Sequence, residues 1–561
     1  MTRSTTAWLT GFILLAVVIA GTQLLVYADS QPGADSIAYF ELADQIQTVG
    51  YAQALPLHWS PLYPAYVLAA RTLGGQTIAT EAHVTLAADA ALLIALCAIV
   101  AATYSSLASR CFPDRRDAAR AWLACAFGLA LFFGFGVLRV GLRMPDALVT
   151  CLATLVLWTW CRAIGDDLGP LWAGLAGVLS GIAYLARANL LHWSLVAAAA
   201  ACVCAPGVRV AKRWIAFGLF ALGLLAIVGP QVYALSAARG YFTLGESGKL
   251  VFAETYGATW PNGQSWPVRA SGGDVRVFTD ARDLNFPGFY EPGREYDDAI
   301  VQFGVGKALL AVVRSVRATL FGYWSPSFAL FWPLLWAAWP PLMFGVGVFG
   351  GDDSSPDGRL RRRLSAFLII SGAAGVAMHL VSFSLGYYLP PYLIPLLMGI
   401  YLAMIGGSIG GSASLRRRAA WIVASGLAIA TVLTTASGFR RSDERGRSEA
   451  LADSRALATA LERLPADGGR RRLAVAGPWL GVYAIRLSNS QVTADIPDPA
   501  VLHDADRARR AVHALRDRGV VAILQPRSRL APDDPLTWTA VNNEWALADI
   551  RDVPVEADVR R

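Results

Sequence analysis

The chain has 561 residues, 55% of them hydrophobic and only 16% charged, with a mean hydropathy of +0.44 and a formal net charge of +8. Soluble domains carry about 25% charged residues, so this composition puts most of the chain in lipid and excludes an ordinary soluble globular protein. The basic residues are nearly all arginine, with Lys212, Lys249 and Lys307 the only lysines. They fall in short clusters between apolar runs, which argues against a nucleic-acid partner and reads as topology-setting loops.

The first apolar run, 7–28, ends in Val26-Tyr27-Ala28, which looks like a signal-peptidase site. At about 22 residues it exceeds the roughly 7–15 of a signal h-region and suits a retained membrane span. Further runs follow at 83–107, 121–138, 147–164, 170–187, 190–206, 215–235, 326–349, 364–383, 389–411 and 419–437. Arginine-rich clusters lie at Arg110 to Arg120, Arg209 to Arg213, Arg359 to Arg363 and Arg416 to Arg418. With the N-terminus inside and about 11 spans, all four clusters fall in the cytoplasm, as the positive-inside rule requires.

Two further segments are apolar but do not fit as spans. Residues 61–73 are short and broken by proline, and 301–321 carry Lys307, Arg314 and Arg317 on one helical face. Both are expected to be helices lying in the outer interface. The outer face then holds a first loop at 29–82, a long loop at 236–325 and the tail from 438. The tail mixes helix-like stretches (449–464, 504–518) with strand-like runs (473–476, 520–524), predicting a small extracytoplasmic α/β domain of roughly 120 residues. The expected organisation is a polytopic α-helical membrane domain over 1–437 and this α/β domain over 438–561. All seven cysteines lie between Cys97 and Cys204, so no disulfide framework holds the later outer regions. Neither a phosphate-binding glycine loop nor an internal repeat is present.

Several polar residues stand out on the outer side. Asp35, where the chain leaves the first span, has two compatible readings. It is a general base for an incoming hydroxyl, or the N-cap of a helix over 36–47 whose Ile37, Phe40, Ala43 and Ile46 form an apolar stripe. Asp146, in the turn Arg143-Met144-Pro145-Asp146, binds a sugar hydroxyl, helps hold a cation or orients a phosphate-binding arginine, or else caps the next span, where a carboxylate also suits the helix dipole. If the two acids converge they are good ligands for a divalent cation, Mg or Mn. Arg187 either snorkels toward headgroups or recognises a lipid-linked phosphate, a task suited to a guanidinium fork. His58 precedes a Pro/aromatic segment. His379 lies within a span, where a histidine is costly. Tyr387 and Tyr388 fit an interfacial belt or the wall of an outer cavity. Lys249 and Glu254 sit in the long outer loop.

The ordered set Ala34-Asp35-Ser36-x-x-Tyr39, His58-Trp59-Ser60-Pro61-Leu62-Tyr63-Pro64, Arg143-Met144-Pro145-Asp146, Leu185-Ala186-Arg187-Ala188-Asn189 and Tyr387-Tyr388-Leu389-Pro390 resembles the GT-C superfamily of polyprenyl-phosphate-sugar-dependent glycosyltransferases. That superfamily includes protein O-mannosyltransferases and lipid A aminoarabinose transferases. The resemblance implies a GT-C-like fold and catalytic aspartates at Asp35 and Asp146, which would also be the metal ligands if a cation is used. It implies donor-phosphate contacts at Arg187, Arg143 or Lys249, and a substrate pocket with Tyr39, His58, Tyr387 and Tyr388. Two departures stand out: Asp35-Ser36 replaces the Asp-Glu of many members, and Tyr387-Tyr388 replaces Arg-Tyr. The implied reaction moves a sugar from a polyprenyl-phosphate donor to an acceptor hydroxyl of a lipid, glycan or protein, with inversion, at the outer face of a bacterial cytoplasmic membrane. The competing readings are a lipid or polysaccharide transporter and a lipid-linked glycan ligase or polymerase.

Overall fold

In the computed structural model the described residues are 3–28, 32–56, 58–74, 78–111, 143–205, 207–245, 356–382, 444–466, 470–476, 482–496, 499–530, 534–542, 545–551 and 553, with isolated residues within 128–135, 258–313 and 429–432. The first helix, α1 (Arg3–Tyr27), is followed by three short ones, α2 (Ala34–Val49), α3 (Tyr51–Ala54) and α4 (Leu62–Gly74). Six long helices come next: α5 (Ile78–Cys111), α6 (Asp146–Gly165), α7 (Pro170–Ala186), α8 (Leu190–Val203), α9 (Val210–Arg239) and α10 (Pro356–Ser382). Among them Thr80–Thr103, Asp146–Gly165 and Val210–Arg239 are long and apolar enough to cross a membrane. Ile13–Tyr27, Pro170–Ala186 and Leu190–Val203 are shorter apolar helices. The expected spans at 326–349 and 389–411, and most of those at 121–138 and 419–437, lie outside the described residues.

Small residues let the bundle close. A Cβ on Gly177 of α7 would stand 2.1 Å from the Phe220 carbonyl of α9, and one on Gly223 of α9 would stand 2.5 Å from the Gly174 carbonyl. The two backbones therefore touch, which is how helices gain packing where lipid gives no hydrophobic drive. Trp160 of α6 fills the space beside them, its ring 5.4 Å from that of Phe220. Side-chain to backbone bonds tie remote helices together: Gln23 Nε2 donates to the Phe135 carbonyl at 2.7 Å, and Trp193 Nε1 to the Ser371 carbonyl at 3.0 Å. Helix α5 runs about 50 Å at 1.5 Å per residue, longer than the ~30 Å hydrocarbon layer.

The C-terminal part folds as a sheet between helices. Strands β4 (Arg472–Ala476), β5 (Gln491–Ile496) and β6 (Ala522–Pro526) are parallel with β4 in the middle, joined through α12 (Val482–Leu487) and α13 (Ala505–Arg516). Strands β8 (Trp545–Asp549) and β7 (Thr539–Ala540) extend the β6 edge antiparallel. Alternation splits the sheet into two cores. Leu473 and Val475 face Leu457 and Leu461 of α11 (Glu444–Glu462), together with Tyr483 and Ile485 of α12. Ala474 and Ala476 share the other core with Val512 and Leu515 of α13. Asp504 caps α13, its side chain accepting from the amides of Asp506 and Arg507 at 3.0 and 2.9 Å.

Two features were not expected. Strand β2 (Arg276–Val277), from the long loop before α10, pairs antiparallel with β5, so the sheet draws on chain outside 438–561. In that loop β1 (Ala258–Thr259) also pairs with β3 (Ile300–Val301), and the helical residues described after it lie within 304–313. The first core of the sheet also includes Ile37 of α2 and Ala82 of α5. It is thus continuous with the end of the helical bundle.

Candidate active site

Helix α2 begins two residues earlier than expected, at Ala34, with Gly33 as its N-cap and no side-chain cap bond. Asp35 is therefore not the N-cap. It sits in the first turn, where its charge faces the positive end of the helix, and its carboxylate stays free to serve a ligand. Four residues on Tyr39 follows on the same face. Tyr39 is buried, edge-on to Trp59 with ring centroids 5.0 Å apart and to Tyr63 at 5.1 Å. Phe40, Ala43, Tyr63 and Val67 complete this cluster, with Leu148 of α6 packed on it. The Pro/aromatic segment and α4 thus form a wall behind α2.

Asp146 is the first residue of α6 and Arg187 ends α7, so the two helix ends present their side chains to each other. Arg187 Nη1 donates to Asp146 Oδ1 at 2.6 Å, with 29% of the arginine and 14% of the aspartate side chain exposed. Asp146 does not act as a side-chain cap. Its carboxylate orients the guanidinium, leaving Arg187 partly open. Asp35 feels both groups. Enclosure by protein raises its pKa above the ordinary value of 3.8, with Arg187 opposing and Asp146 adding to the rise. Its side chain is nevertheless accessible, the combination expected of a carboxyl group lining a concave surface. Burial also pushes the Tyr39 phenol well up, with Arg187 opposing and Asp35 and Asp146 adding to it, so it remains a neutral hydroxyl. Asp35, Tyr39, Asp146 and Arg187 therefore form one electrostatic group.

The other sequence candidates are distributed around this group. His58 is half-buried, edge-on to Trp59 at 4.8 Å, and its enclosed Nδ1 has no hydrogen-bond partner. Burial pushes its pKa down to about 4, so it offers a neutral ring. Arg143 adopts φ +49, a left-handed turn that aims its side chain inward, and it is fully buried. Its Nε donates to the Ala82 carbonyl at 3.1 Å, while both Nη atoms are enclosed without a hydrogen-bond partner among the described residues. Its charge faces Tyr483, Asp89, Tyr63 and Glu81. It is enclosed by protein, whereas Arg187 is partly exposed. Lys249, Tyr387 and Tyr388 lie outside the described residues.

Magnesium is commonly held by one or two carboxylates, with water and substrate phosphate completing its octahedron. One of the two acids here is already taken by a guanidinium, and no cluster of three or more His, Cys, Asp or Glu suited to a metal occurs among the described residues. A carboxylate pair with an open arginine suits a neutral hydroxyl beside an anion.

The structure adds polar residues that the sequence analysis passed over. Asp89 is buried in α5 and accepts from the Tyr63 hydroxyl at 3.3 Å. A lone acid in an apolar run is a functional signal in itself. Arg71, Glu81, Asp44 and Arg486 form a second polar group, and Arg486 carries no local signal because its partners Glu81 and Asp44 lie 405 and 442 residues away in sequence.

No protein-family model matches the chain, and no curated protein matches it. Solved structures do. The crystal structure of ArnT from Cupriavidus metallidurans in the apo state is 12% identical, with a TM-score of 0.55 over 98% of this chain and 98% of that one. The same enzyme bound to undecaprenyl phosphate is 14% identical, with a TM-score of 0.52 over 98% and 99%. The chain shares the fold of ArnT over nearly its whole length, including the C-terminal sheet. At these identities the likeness speaks for the fold and leaves residue roles to the chemistry of the site.

Proposed function

We infer that the protein is a glycosyltransferase that moves a sugar from a polyprenyl-phosphate donor to an acceptor hydroxyl at the outer face of a bacterial cytoplasmic membrane. The supporting observation is the meeting of an accessible, proton-hungry carboxyl (Asp35) with a carboxylate-oriented arginine (Asp146, Arg187) at the end of a membrane bundle. The ArnT of the same fold was crystallised with undecaprenyl phosphate, a lipid of the class proposed here.

The donor's isoprenoid tail would lie in lipid with its phosphate beside Arg187. Asp35 takes the proton of the acceptor hydroxyl as its oxygen attacks the anomeric carbon. The bond from that carbon to the phosphate oxygen breaks on the opposite side, giving inversion, and polyprenyl phosphate leaves with the electron pair. Arg187 stabilises the charge that grows on the phosphate. Asp146 holds the guanidinium in place, and Tyr39 offers its hydroxyl to the sugar or the acceptor. His58 and the aromatic wall line the sugar pocket, and Lys249, Tyr387 and Tyr388 complete the donor side. Arg143 acts as counter-charge to Asp89. In this reading 1–437 form the catalytic membrane domain, and 438–561 with β2 form an extracytoplasmic domain. The sugar is a hexose or pentose, and the acceptor a lipid, glycan or protein.

The test is direct. Purified protein given a polyprenyl-phosphate sugar and membrane extract should release polyprenyl phosphate, and Asp35→Asn should lower that rate by about 10²–10⁴-fold, the usual worth of a general base. Full activity in Asp35→Asn would remove the base assignment.

A further inference from the structure

Helix α2 has two working faces. Asp35 and Tyr39 lie on one; at 100° per residue, Ile37, Phe40, Glu41 and Asp44 fall on roughly the opposite one. That second face meets the C-terminal domain. Arg486 of α12 is completely buried. Its Nε donates to Glu81 Oε1 at 2.5 Å, and its Nη2 to Glu81 Oε2 and Asp44 Oδ2, both at 2.8 Å. Arg71 of α4 binds the same two acids, Nη1 to Asp44 Oδ1 at 2.6 Å and Nη2 to Glu81 Oε2 at 2.5 Å. Both guanidinium groups stand over the Phe40 ring, at 5.7 and 5.8 Å. Burial works against the charge of Arg486, yet Glu81 and Asp44 hold its pKa above the ordinary arginine value.

Two cations and two carboxylates from α2, α4, α5 and α12 thus share one buried site. Such a group adds little stability over apolar packing, but it penalises any arrangement that separates its members. The apolar core beside it is equally shared, since Ile37 and Ala82 pack with Leu457, Tyr483 and Ile485.

We propose that Arg486 is a positioning residue, through which the C-terminal domain fixes α2 and so sets where Asp35 and Tyr39 meet Asp146 and Arg187. The effect on rate rests on the glycosyl-transfer reading above; the clamp on α2 does not. Lysine cannot take the place of Arg486, because a single ammonium does not reproduce a planar fork that spans two carboxylates. A displacement of about 1 Å at a reacting group costs on the order of 10²-fold in rate.

The experiment compares full-length wild type, Arg486→Lys and Asp504→Ala in the same detergent or nanodisc. Asp504→Ala removes the cap of α13, on the far face of the sheet, and weakens the domain without touching α2. Amide hydrogen exchange along 36–49 is read by mass spectrometry beside donor turnover. The expected result is at least tenfold faster exchange of α2 in Arg486→Lys, with kcat down about 100-fold and donor KM nearly unchanged, while Asp504→Ala leaves both readouts at wild type. Wild-type exchange of α2 in Arg486→Lys overturns the proposal, as does equal loosening in Asp504→Ala. Should Arg486→Lys not fold, Asp44→Asn removes one arm of the clamp and must loosen α2 in the same direction, or the proposal fails. Absence of donor turnover in the wild type would refute the proposed activity, while the exchange comparison would still decide the clamp.

Discussion

Asp35 shows how much a carboxyl group depends on what surrounds it. Being enclosed at the end of the bundle favours its neutral form, Asp146 adds repulsion and Arg187 opposes both. A base with a raised pKa is protonated, and idle, at pH values where an ordinary aspartate would work. The acidic limb of kcat/KM against pH should therefore lie above 3.8, the ordinary value. Asp146→Asn should move that limb down by removing the negative neighbour, and Arg187→Met should move it up by removing the positive one. A limb that stays in place in both variants would mean that another group sets it. The position of Asp35 was plain from the sequence, where an acid follows the first span. Its cap reading failed because Gly33 begins the helix without a side-chain bond, and a cap depends on a one-residue boundary that periodicity does not define. The reverse holds for Arg143, whose inward path follows from a left-handed backbone at φ +49, a conformation with no signature in arginine.

At the scale of elements, long apolar runs were the most legible feature, because a span must satisfy its own backbone and helix is the only open choice. The runs at 147–164 and 170–187 correspond to Asp146–Gly165 and Pro170–Ala186. Helix α9 extends beyond the run at 215–235 to Val210–Arg239, taking in Lys212, Arg213 and Arg239, which a count of apolar residues alone leaves out. The segment 61–73 is helical as expected, as α4 (Leu62–Gly74), with Tyr63, Val67 and Arg71 buried. The two-residue strand β2 left no trace, since no period can be read from two residues. The α7–α9 contact gives a prediction at this scale. Gly177→Ala places a methyl group where the Phe220 carbonyl already stands, so the helices must part. Overpacking of this kind costs about 1–3 kcal/mol, and thermal unfolding in detergent should show a lower midpoint, whereas Gly174→Ala, with nothing within 4 Å of its Cβ, should leave it near wild type.

For the whole molecule, the question is what joins the membrane bundle to the sheet. The group of Asp44, Arg71, Glu81 and Arg486 crosses that junction, and removing Arg486 leaves two carboxylates to share Arg71 alone, with one negative charge in excess beside the buried Glu81. Arg486→Met alone should therefore destabilise by about 3–5 kcal/mol. Adding Glu81→Gln should cost less than the sum of the two single changes, because the second removes the charge that the first had stranded. A double-mutant cycle on chemical unfolding checks this. Strict additivity would mean that the two residues do not share one site.

The sequence by itself determined the apolar composition, the helices at 147–164 and 170–187, and the candidate acids and arginine at loop ends. All of these follow from composition and from patterns a few residues long, which lipid enforces strongly. Only the tertiary structure decided that Asp146 pairs with Arg187, that Arg143 is enclosed, and that Arg486 reaches Glu81 and Asp44. Those pairings join helices separated by tens to hundreds of residues. No local pattern encodes them, because they exist only once packing has brought the helix ends and the sheet together.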